Sequence, residues 1–486
     1  MPRLHLLVAS ATALVCWCSF ALAQVQEVTP PPRFEIRSFV LDGNTLIPPA
    51  ESDRLLAPFL GPNRDFGTVQ QALERLQDEY VARGYSAVRV LVPEQELASG
   101  TVHLQVIEAR IRNIRVEGNK FFSDANVRAG LPTVREGEPP NTRKVNESVR
   151  LVNENPAKQV NVILEATDAP GQADALLRVT DEDPARTTLS LDNTGTPQTG
   201  NLRAGIGYQN ANVGDRDQVL TLQYLSSVTR PNDVKIFGAG YRMPVYAWRG
   251  AFDLVAGYSD VNSGTVQNLF SVSGSGTIFG ARYTQTLPRI GAYEQKLAVG
   301  LDYRAFKQNV SLIGLTGTIV PDITVHPWSV TYTGRLSQVD NDLSLVASMA
   351  ENIPGGSDGT QDSFNIQPRV GPARYRIYRL AGAWSKVLPH EYLLRLVAGG
   401  QWTRDPLISG EQFGMGGQDS VRGFYERESA NDVGARISAE LYSPDIGERI
   451  GTGWRARLLG FFDSASGYDR GEAPNARSGL RASGSE

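Results

Sequence analysis

Cysteine is almost absent from this sequence. Only Cys16 and Cys18 occur among 486 residues, and both lie in an apolar segment near the N-terminus. Once that segment is removed, the chain can form no disulfide framework and no cysteine metal site. Histidine is nearly as rare, and His103, His326 and His390 are spread too widely to suggest a metal site. The sequence therefore predicts no metal and no cofactor.

Long apolar runs and an excess of one charge are also missing. After residue 22 no stretch of about 18 apolar residues occurs, which excludes a membrane-spanning helix. The formal charge is −4, with 48 basic against 52 acidic residues, so nothing favours a nucleic-acid partner. A transmembrane barrel remains compatible with 41% apolar residues, because its strands turn only every second residue toward lipid.

Residues 1–23 have the pattern of a secretory signal peptide. Arg3 precedes the apolar run 6–22, and Ala21-Leu22-Ala23 fits an A-x-A cleavage site. We therefore expect the mature chain to leave the cytoplasm. A short leader, 24–32, follows.

Two modules of similar pattern come next. In residues 33–109 a strand at 34–41 precedes helices at 50–60 and 66–83, and strands at 86–92 and 101–108. In residues 110–184 the same order returns, with helices at 123–131 and 141–153 and strands at 159–165 and 173–181. Glu117-Gly118-Asn119 repeats Asp42-Gly43-Asn44 about 75 residues later, as expected of an internal repeat. The sheet edges of such modules can accept an extended client chain as an added strand.

From residue 185 onward the pattern becomes entirely β. About 13 segments alternate between apolar or aromatic and small or polar residues, the first at 188–192 and the last at 454–462. A soluble β-sandwich would show the same alternation. The signal peptide and strand lengths of about 9 to 11 residues favour a transmembrane barrel.

One glycine-rich stretch stands out in this region. Residues 416–424, GGQDSVRGF, lie within a longer turn-rich segment at 405–432 between two predicted strands. By composition alone it is a surface hairpin loop, because its glycines permit backbone angles that side chains forbid.

The order of these parts resembles a known family. A signal peptide, two β-α-α-β-β modules, a β-barrel, and Val421-Arg422-Gly423-Phe424 in a long late loop are similar to the two-partner secretion transporters, the TpsB or ShlB/FhaC/HecB type of hemolysin secretion and activation proteins. The resemblance implies periplasmic α+β POTRA modules at 33–109 and 110–184 and an all-β transmembrane barrel at 185–486. Family barrels have 16 strands, the number expected to leave an aqueous channel.

The resemblance also implies a function. A monomeric outer-membrane pore of a Gram-negative bacterium would recognise the N-terminal secretion domain of a TpsA-like exoprotein, of hemolysin, adhesin or contact-dependent toxin type, and export it. Its surroundings would be outer-membrane lipid and lipopolysaccharide. We expect no enzymatic activity and no catalytic residues. Two alternatives stay open: a factor that inserts other outer-membrane proteins, and a passive porin or receptor.

Within the family the loop folds back into the barrel lumen, and the resemblance assigns that position to Val421, Arg422, Gly423 and Phe424. The family's partner for the arginine is an aspartate in a Phe-x-Asp motif, which matches Asp463 here. A guanidinium fork binds a carboxylate through two hydrogen bonds, so this pair would hold the loop in place. The alternative is two unrelated charged groups.

Two departures from the family pattern lead to further expectations. The leader 24–32 is too short to supply the plug helix that family members commonly carry. The last residues, 481–486, are polar, which predicts that the chain ends without a terminal strand and that its barrel is truncated by about three strands.

Overall fold

The computed structural model describes residues 32–96, 99–195, 199–260, 264–266, 270–272, 275–307, 322–367, 369–449, 455–471 and 477–485. The predicted signal peptide lies outside this range. Within the described range, no helix combines the length and the apolar character needed to cross a membrane. The chain falls into two compact units: the first ends at Ala82 and adds Val88–Glu108, and the second takes Arg83–Ala87 and everything from Ala109 onward.

The first unit is a three-stranded sheet covered by two helices. Its elements are β1 (Phe34–Ile36), β2 (Ser38–Asp42), α1 (Pro49–Leu56), β3 (Gly61–Arg64), α2 (Phe66–Ala82), β4 (Val88–Leu91) and β5 (Thr101–Glu108). The sheet order is β2-β5-β4, with β2 parallel and β4 antiparallel to β5. The α2 residues Val69, Ala72, Leu76 and Tyr80 are buried, as the helical spacing predicts. Strand β3, which pairs with β1, was not predicted, because Gly-Pro-Asn-Arg has no strand pattern.

The second unit begins with a module of the same topology. Its elements are β6 (Arg110–Glu117), α3 (Asp124–Gly130), α4 (Thr142–Val152), β7 (Lys158–Ala166) and β8 (Gln172–Asp181). The order β6-β8-β7, with β6 parallel to β8, is that of the first unit. The side-chain amides of the repeated turns act alike: Asn44 donates to the Ile47 carbonyl and Asn119 to the Phe122 carbonyl, both at 2.8 Å. The structure thus contains the internal repeat that the sequence predicts.

The turn glycines of the repeat have a steric reason. Gly43 and Gly118 have φ values of 89° and 92°, where side chains are strained. A Cβ on Gly118 would lie 2.3 Å from the Val179 carbonyl oxygen, and one on Gly43 would lie 2.5 Å from that of Val106. Each turn therefore requires glycine for both conformation and space.

We predict that Gly118→Ala lowers stability by about 3 kcal/mol, since strain at positive φ adds to a backbone clash. Gly137→Ala is the matched control, because Gly137 has φ 81° but nothing within 4 Å of an added Cβ. The control should lose only about 1 kcal/mol. Hydrogen exchange of the α3 and β8 amides measures both, and equal losses would contradict the steric argument.

The rest of the second unit is dominated by one large sheet. The strands are β9 (Ala185–Asp192), β10 (Arg203–Val213), β11 (Gln218–Ser227), β12 (Lys235–Val245), β13 (Gly250–Ser259), β14 (Gly264–Val266), β15 (Phe270–Val272), β16 (Ser275–Thr286), β17 (Tyr293–Lys307), β18 (Ile323–Val325), β19 (Pro327–Ser337), β20 (Asn341–Asn352), β21 (Arg376–Val387), β22 (Leu393–Thr403), β23 (Phe413–Met415), β24 (Ser429–Asn431), β25 (Val433–Tyr442), β26 (Leu459–Tyr468) and β27 (Arg477–Ser485). Two short helices, α5 (Gln361–Asn365) and α6 (Ile446–Arg449), lie in connections. Short 3₁₀ turns occur at Ala57–Phe59, Tyr246–Trp248, Pro389–Glu391 and Ser409–Glu411.

The large sheet is antiparallel throughout and has fifteen strands. Its order runs β27-β26-β25-β22-β21-β20-β19-β17-β16-β13-β12-β11-β10-β9, with β18 paired to β17 beside this path. Two small hairpins, β14 with β15 and β23 with β24, stand apart from it. Each predicted strand between residues 188 and 442 overlaps a strand of this sheet.

The two faces of the large sheet differ in polarity. One face carries large apolar side chains that are exposed to the surroundings, including Phe237, Leu254, Phe279, Leu301, Leu380 and Phe462. The other face carries charged and hydroxyl side chains. We call the first the apolar face and the second the polar face. Soluble proteins rarely expose so many large apolar side chains on one surface. The apolar face is therefore suited to contact with the hydrocarbon layer of a membrane.

The prediction that the chain ends without a terminal strand is wrong. Residues 477–485 form β27, paired along its length with β26. Here Leu480 and Ala482 pack on the polar face, while Arg481 points the other way, since neighbouring residues of a strand alternate. The apolar side chains of this strand therefore lie on the polar face and the charged side chain of Arg481 lies on the apolar face. This is the reverse of the alternation expected for a barrel strand, so the sequence pattern did not predict it. The strand predicted at 454–462 is also displaced: β26 begins at Leu459, opposite Tyr442, and residue 454 lies outside the described range.

Candidate functional site

The glycine-rich stretch belongs to a loop that connects β22 to β25. Its two arms pair as the hairpin β23–β24, and Gly416, Gly417 and Gly423 have φ values of 97°, 100° and 86°. A Cβ on Gly416 would lie 2.5 Å from the Tyr425 carbonyl oxygen. The glycines therefore allow the chain to reverse tightly between the arms.

The tip of the loop contacts the polar face of the sheet through apolar side chains. Val421 is fully buried and packs with Met415 and with Ala465 of β26. Phe424 adds to this cluster, together with Leu480 and Ala482 of β27. The stretch is thus bound to the sheet and is not a surface hairpin.

Arg422 lies against β26 and binds Asp463 in the geometry expected of a guanidinium fork. Its Nε donates to Asp463 Oδ2 at 2.7 Å and its Nη2 to Oδ1 at 2.8 Å. The Arg422 backbone amide also donates to Oδ2, at 3.2 Å. The two residues are 41 positions apart in sequence, so the contact ties the loop to a distant strand.

Two further polar side chains complete the arginine site. Glu440 of β25 accepts from Arg422 Nη1 at 2.9 Å, and Ser438 donates to Asp463 Oδ1 at 2.7 Å. The Phe461 ring lies under the guanidinium, 3.8 Å from its carbon to the ring centroid. We call Arg422, Asp463, Glu440, Ser438 and Phe461 the loop-anchoring cluster.

Burial makes the cluster sensitive to the loss of one charge. The side chains of Asp463 and Glu440 are 1% and 7% exposed, against 20% for Arg422. Arg395 also binds Glu440, with Nη1 at 3.0 Å from Oε2. A buried carboxylate without its cation is costly, whereas the intact pair has a small net energy and mainly fixes position.

The other end of the loop is attached to more distant strands. Glu411, nearly fully buried, accepts from Arg304 of β17 at 2.7 Å and from Arg379 of β21 at 3.3 Å. Asp432, at the far end of the loop, binds Arg369 Nη2 at 2.7 Å. The loop thus contacts β17 and β21 at its start and β25 and β26 at its tip, and it crosses the space enclosed by the polar face.

Sequence reasoning named Arg422 and Asp463 but missed their neighbours. Ser438 and Glu440 lie opposite Asp463 and Phe461 because the β25–β26 register places them there. One signal was available: Ser438 and Glu440 are polar residues two apart in a predicted strand, which puts them on the same face. The sequence does not reveal which strand that face would meet.

A second polar cluster joins the repeat module to the large sheet. Lys158 of β7 donates to both oxygens of Asp217 at 2.7 Å and to Asn126 Oδ1 at 2.7 Å. Asp217 lies in the β10–β11 turn and also accepts from the Tyr246 hydroxyl, at 2.5 Å. We call these four residues the docking cluster.

The docking cluster is isolated from water. Lys158 and Asp217 are 1% and 2% exposed. Burial lowers the pKa of Lys158, while the Asp217 carboxylate acts in the opposite direction. Burial and the same carboxylate raise the pKa of Tyr246. Apolar contacts surround the docking cluster. Ala211 of β10 belongs to the hydrophobic core of the second module, and Val219 of β11 packs against that core. Module and sheet therefore share one core.

Together the fold and the bound loop define a class of protein, the outer-membrane transporters built from POTRA domains and a transmembrane β-barrel. The sequence model of the family described as haemolysin secretion/activation protein ShlB/FhaC/HecB matches residues 171–484, more than half of the chain. The model of the ShlB-type POTRA domain matches residues 34–109. The chain belongs to the ShlB/FhaC/HecB family, and its POTRA domains lie in the periplasm.

Solved structures show the same fold. CdiB from Escherichia coli is 21% identical and superposes with a TM-score of 0.74, covering 96% of this chain and 86% of that one. CdiB from Acinetobacter baumannii is 16% identical, with a TM-score of 0.65 and coverage of 94% and 83%.

Similar curated proteins are transporters. The outer membrane transporter CdiB of Escherichia coli strain 536 is 24% identical over 418 residues, covering 84% of this chain and 69% of the relative. The heme/hemopexin transporter protein HuxB of Haemophilus influenzae is 21% identical over 412 residues, covering 82% and 70%.

Proposed function

We propose that this protein exports one large exoprotein of TpsA type through the outer membrane by two-partner secretion. The observation that carries the proposal is the loop-anchoring cluster, which holds Arg422 and the neighbouring Val421, Gly423 and Phe424 on the polar face. A loop that crosses the enclosed space obstructs the passage of an unfolded chain. The charged contacts of Arg422 with Asp463 and Glu440 add to the apolar contacts of Val421 and Phe424 in holding the loop at this position.

The proposed organisation follows the predicted boundaries. Residues 1–23 are the signal peptide, 24–32 the leader, 33–109 and 110–184 the two POTRA domains, and 185–486 the barrel. The first POTRA sheet has β2 and β4 as its outer strands, and the second has β6 and β7. We propose that an extended segment of the exoprotein's N-terminal secretion domain adds to one of these edges, because unpaired strand groups accept a further strand.

The remaining partners follow from location. The barrel acts as a monomer surrounded by outer-membrane lipid and lipopolysaccharide, and the protein is a transporter without enzymatic activity. Neither a metal nor a cofactor takes part. The free energy for export comes from folding of the exoprotein at the cell surface.

Export is tested in a strain that lacks the chain and produces an exoprotein with a TpsA-type secretion domain. Restoring the chain should release the exoprotein, or display it at the surface, and leave the amounts of other outer-membrane proteins unchanged. Loss of many outer-membrane proteins on deletion would instead indicate an assembly factor. Ion conductance without any effect on the exoprotein would indicate a passive porin.

A further inference from the structure

The large sheet has a definite orientation, which locates a group of arginines. The β10–β11 turn contacts the second POTRA domain through Asp217, so this end of the sheet faces the periplasm. Lys296, near the start of β17, also contacts that domain through Glu154, at 2.5 Å. Following the antiparallel register, the ends of β20 and β22 and the start of β21 lie at the opposite end, which faces the cell surface.

Aromatic side chains mark the boundary of the membrane at this end. Tyr378 of β21 and Trp402 of β22 lie opposite each other, with ring centroids 5.6 Å apart. Both are 41% exposed, on the same face as the exposed Leu380. Aromatic belts of this kind lie at the level of the lipid headgroups in membrane barrels.

The two rings line one side of a cavity of about 450 Å³. Arg374, Arg376 and Arg404 line it, together with Glu351 and Asp405. Arg376 follows the alternation of β21 and therefore lies on the same face as Tyr378. The cavity therefore opens on the outer side of the barrel, the side of the apolar face, and not into the space that the loop crosses.

The charges of this cavity are not balanced. Glu351 binds Arg376 and lies 3.8 Å from Arg374, so a single carboxylate serves two guanidinium groups. Asp405 accepts from the Arg376 backbone amide at 3.2 Å. Arg404 stacks over the Trp402 ring at 5.6 Å, and no described carboxylate pairs with its guanidinium. Arg470 lies 6.0 Å from the same ring but does not line the cavity, and its Nε donates to the Thr403 carbonyl at 2.9 Å.

We infer that this cavity binds the phosphorylated headgroup of a lipid in the outer leaflet. Guanidinium groups bind phosphate through paired charge-assisted hydrogen bonds, and several of them around one cavity match a doubly phosphorylated headgroup. The acyl chains would lie along the apolar face beneath Tyr378 and Trp402, beside Leu380. Inorganic phosphate has no apolar part that could contact this surface, so a lipid fits the site better. The inference does not depend on export.

The test uses the full chain, purified in detergent, with diphosphorylated lipid A as the probe and native mass spectrometry as the readout. The triple variant Arg374→Gln/Arg376→Gln/Arg404→Gln removes three of the cations. We expect it to bind the probe about tenfold more weakly than the unchanged protein, because it loses the paired phosphate contacts. The matched control, Arg37→Gln/Arg54→Gln/Arg75→Gln, makes the same charge change in the first POTRA domain and should bind normally.

Two further measurements guard against misfolding and against a different ligand. The single variant Arg404→Gln breaks no ion pair, so it should keep the heat-dependent gel mobility of a folded barrel and still bind more weakly. Dephosphorylated lipid A should bind poorly, and inorganic phosphate should not displace the lipid. Equal binding by the triple variant, equal binding of dephosphorylated lipid, or displacement by inorganic phosphate would overturn the inference.

Discussion

Replacing Arg422 with alanine is expected to reduce export of the exoprotein at least about tenfold while leaving the amount of barrel in the outer membrane unchanged. The variant leaves the Asp463 carboxylate buried without its cation, whereas Glu440 keeps its ion pair with Arg395. An unpaired buried charge costs about 3 kcal/mol or more, so the docked loop loses its preferred position. Secretion into the medium, normalised to the barrel present in outer membranes, measures the effect.

A matched control separates this effect from the loss of any arginine. Arg335 lies in β19, has an exposed side chain and forms an ion pair with Asp342 at 3.4 Å. Exposed pairs contribute little, so Arg335→Ala should export normally. Normal export by Arg422→Ala would remove the loop from the mechanism.

The second large effect concerns the docking cluster. Lys158→Met leaves the Asp217 carboxylate buried without its cation, which should weaken attachment of the second POTRA domain by about 3 to 5 kcal/mol. The double variant Lys158→Met/Asp217→Leu removes both charges and should recover most of that loss, because apolar replacement of a buried pair is often nearly neutral.

Limited proteolysis of the β8–β9 connection and hydrogen exchange in α3 report this attachment. A more exposed pair of the same length is Arg112 with Asp174, at 2.7 Å, whose side chains are 46% and 14% exposed, and Arg112→Met should cause a much smaller change. If Lys158→Met were as mild as this control, the docking cluster would not hold the domain. If the double variant were as damaged as the single one, the loss would come from packing and not from charge.

Local patterns were predicted well because they depend on neighbouring residues. The repeated turns at Gly43 and Gly118 and the alternation of the strands can be recognised from short segments. Strand β27 was missed because its packing against the loop reverses the usual alternation, with Leu480 on the polar face. That reversal depends on a tertiary contact with Val421, which no local pattern reveals.

The contacts of the candidate site were predictable only where a motif named them. Arg422 and Asp463 were paired through resemblance to the family, not through spacing. The carboxylate of Glu440 reaches Arg422 only through the register of β25 on β26. Lys158 and Asp217 are 59 positions apart and look like ordinary surface charges until the shared core buries them.

The most direct test of the central claim is a double-mutant cycle on export. Arg422→Ala, Asp463→Ala and the double variant are compared at equal amounts in the outer membrane. If both residues act through one contact that holds the loop, the double variant exports about as well as the worse single variant. Independent losses that multiply in the double variant, or unchanged export by either single variant, would contradict it.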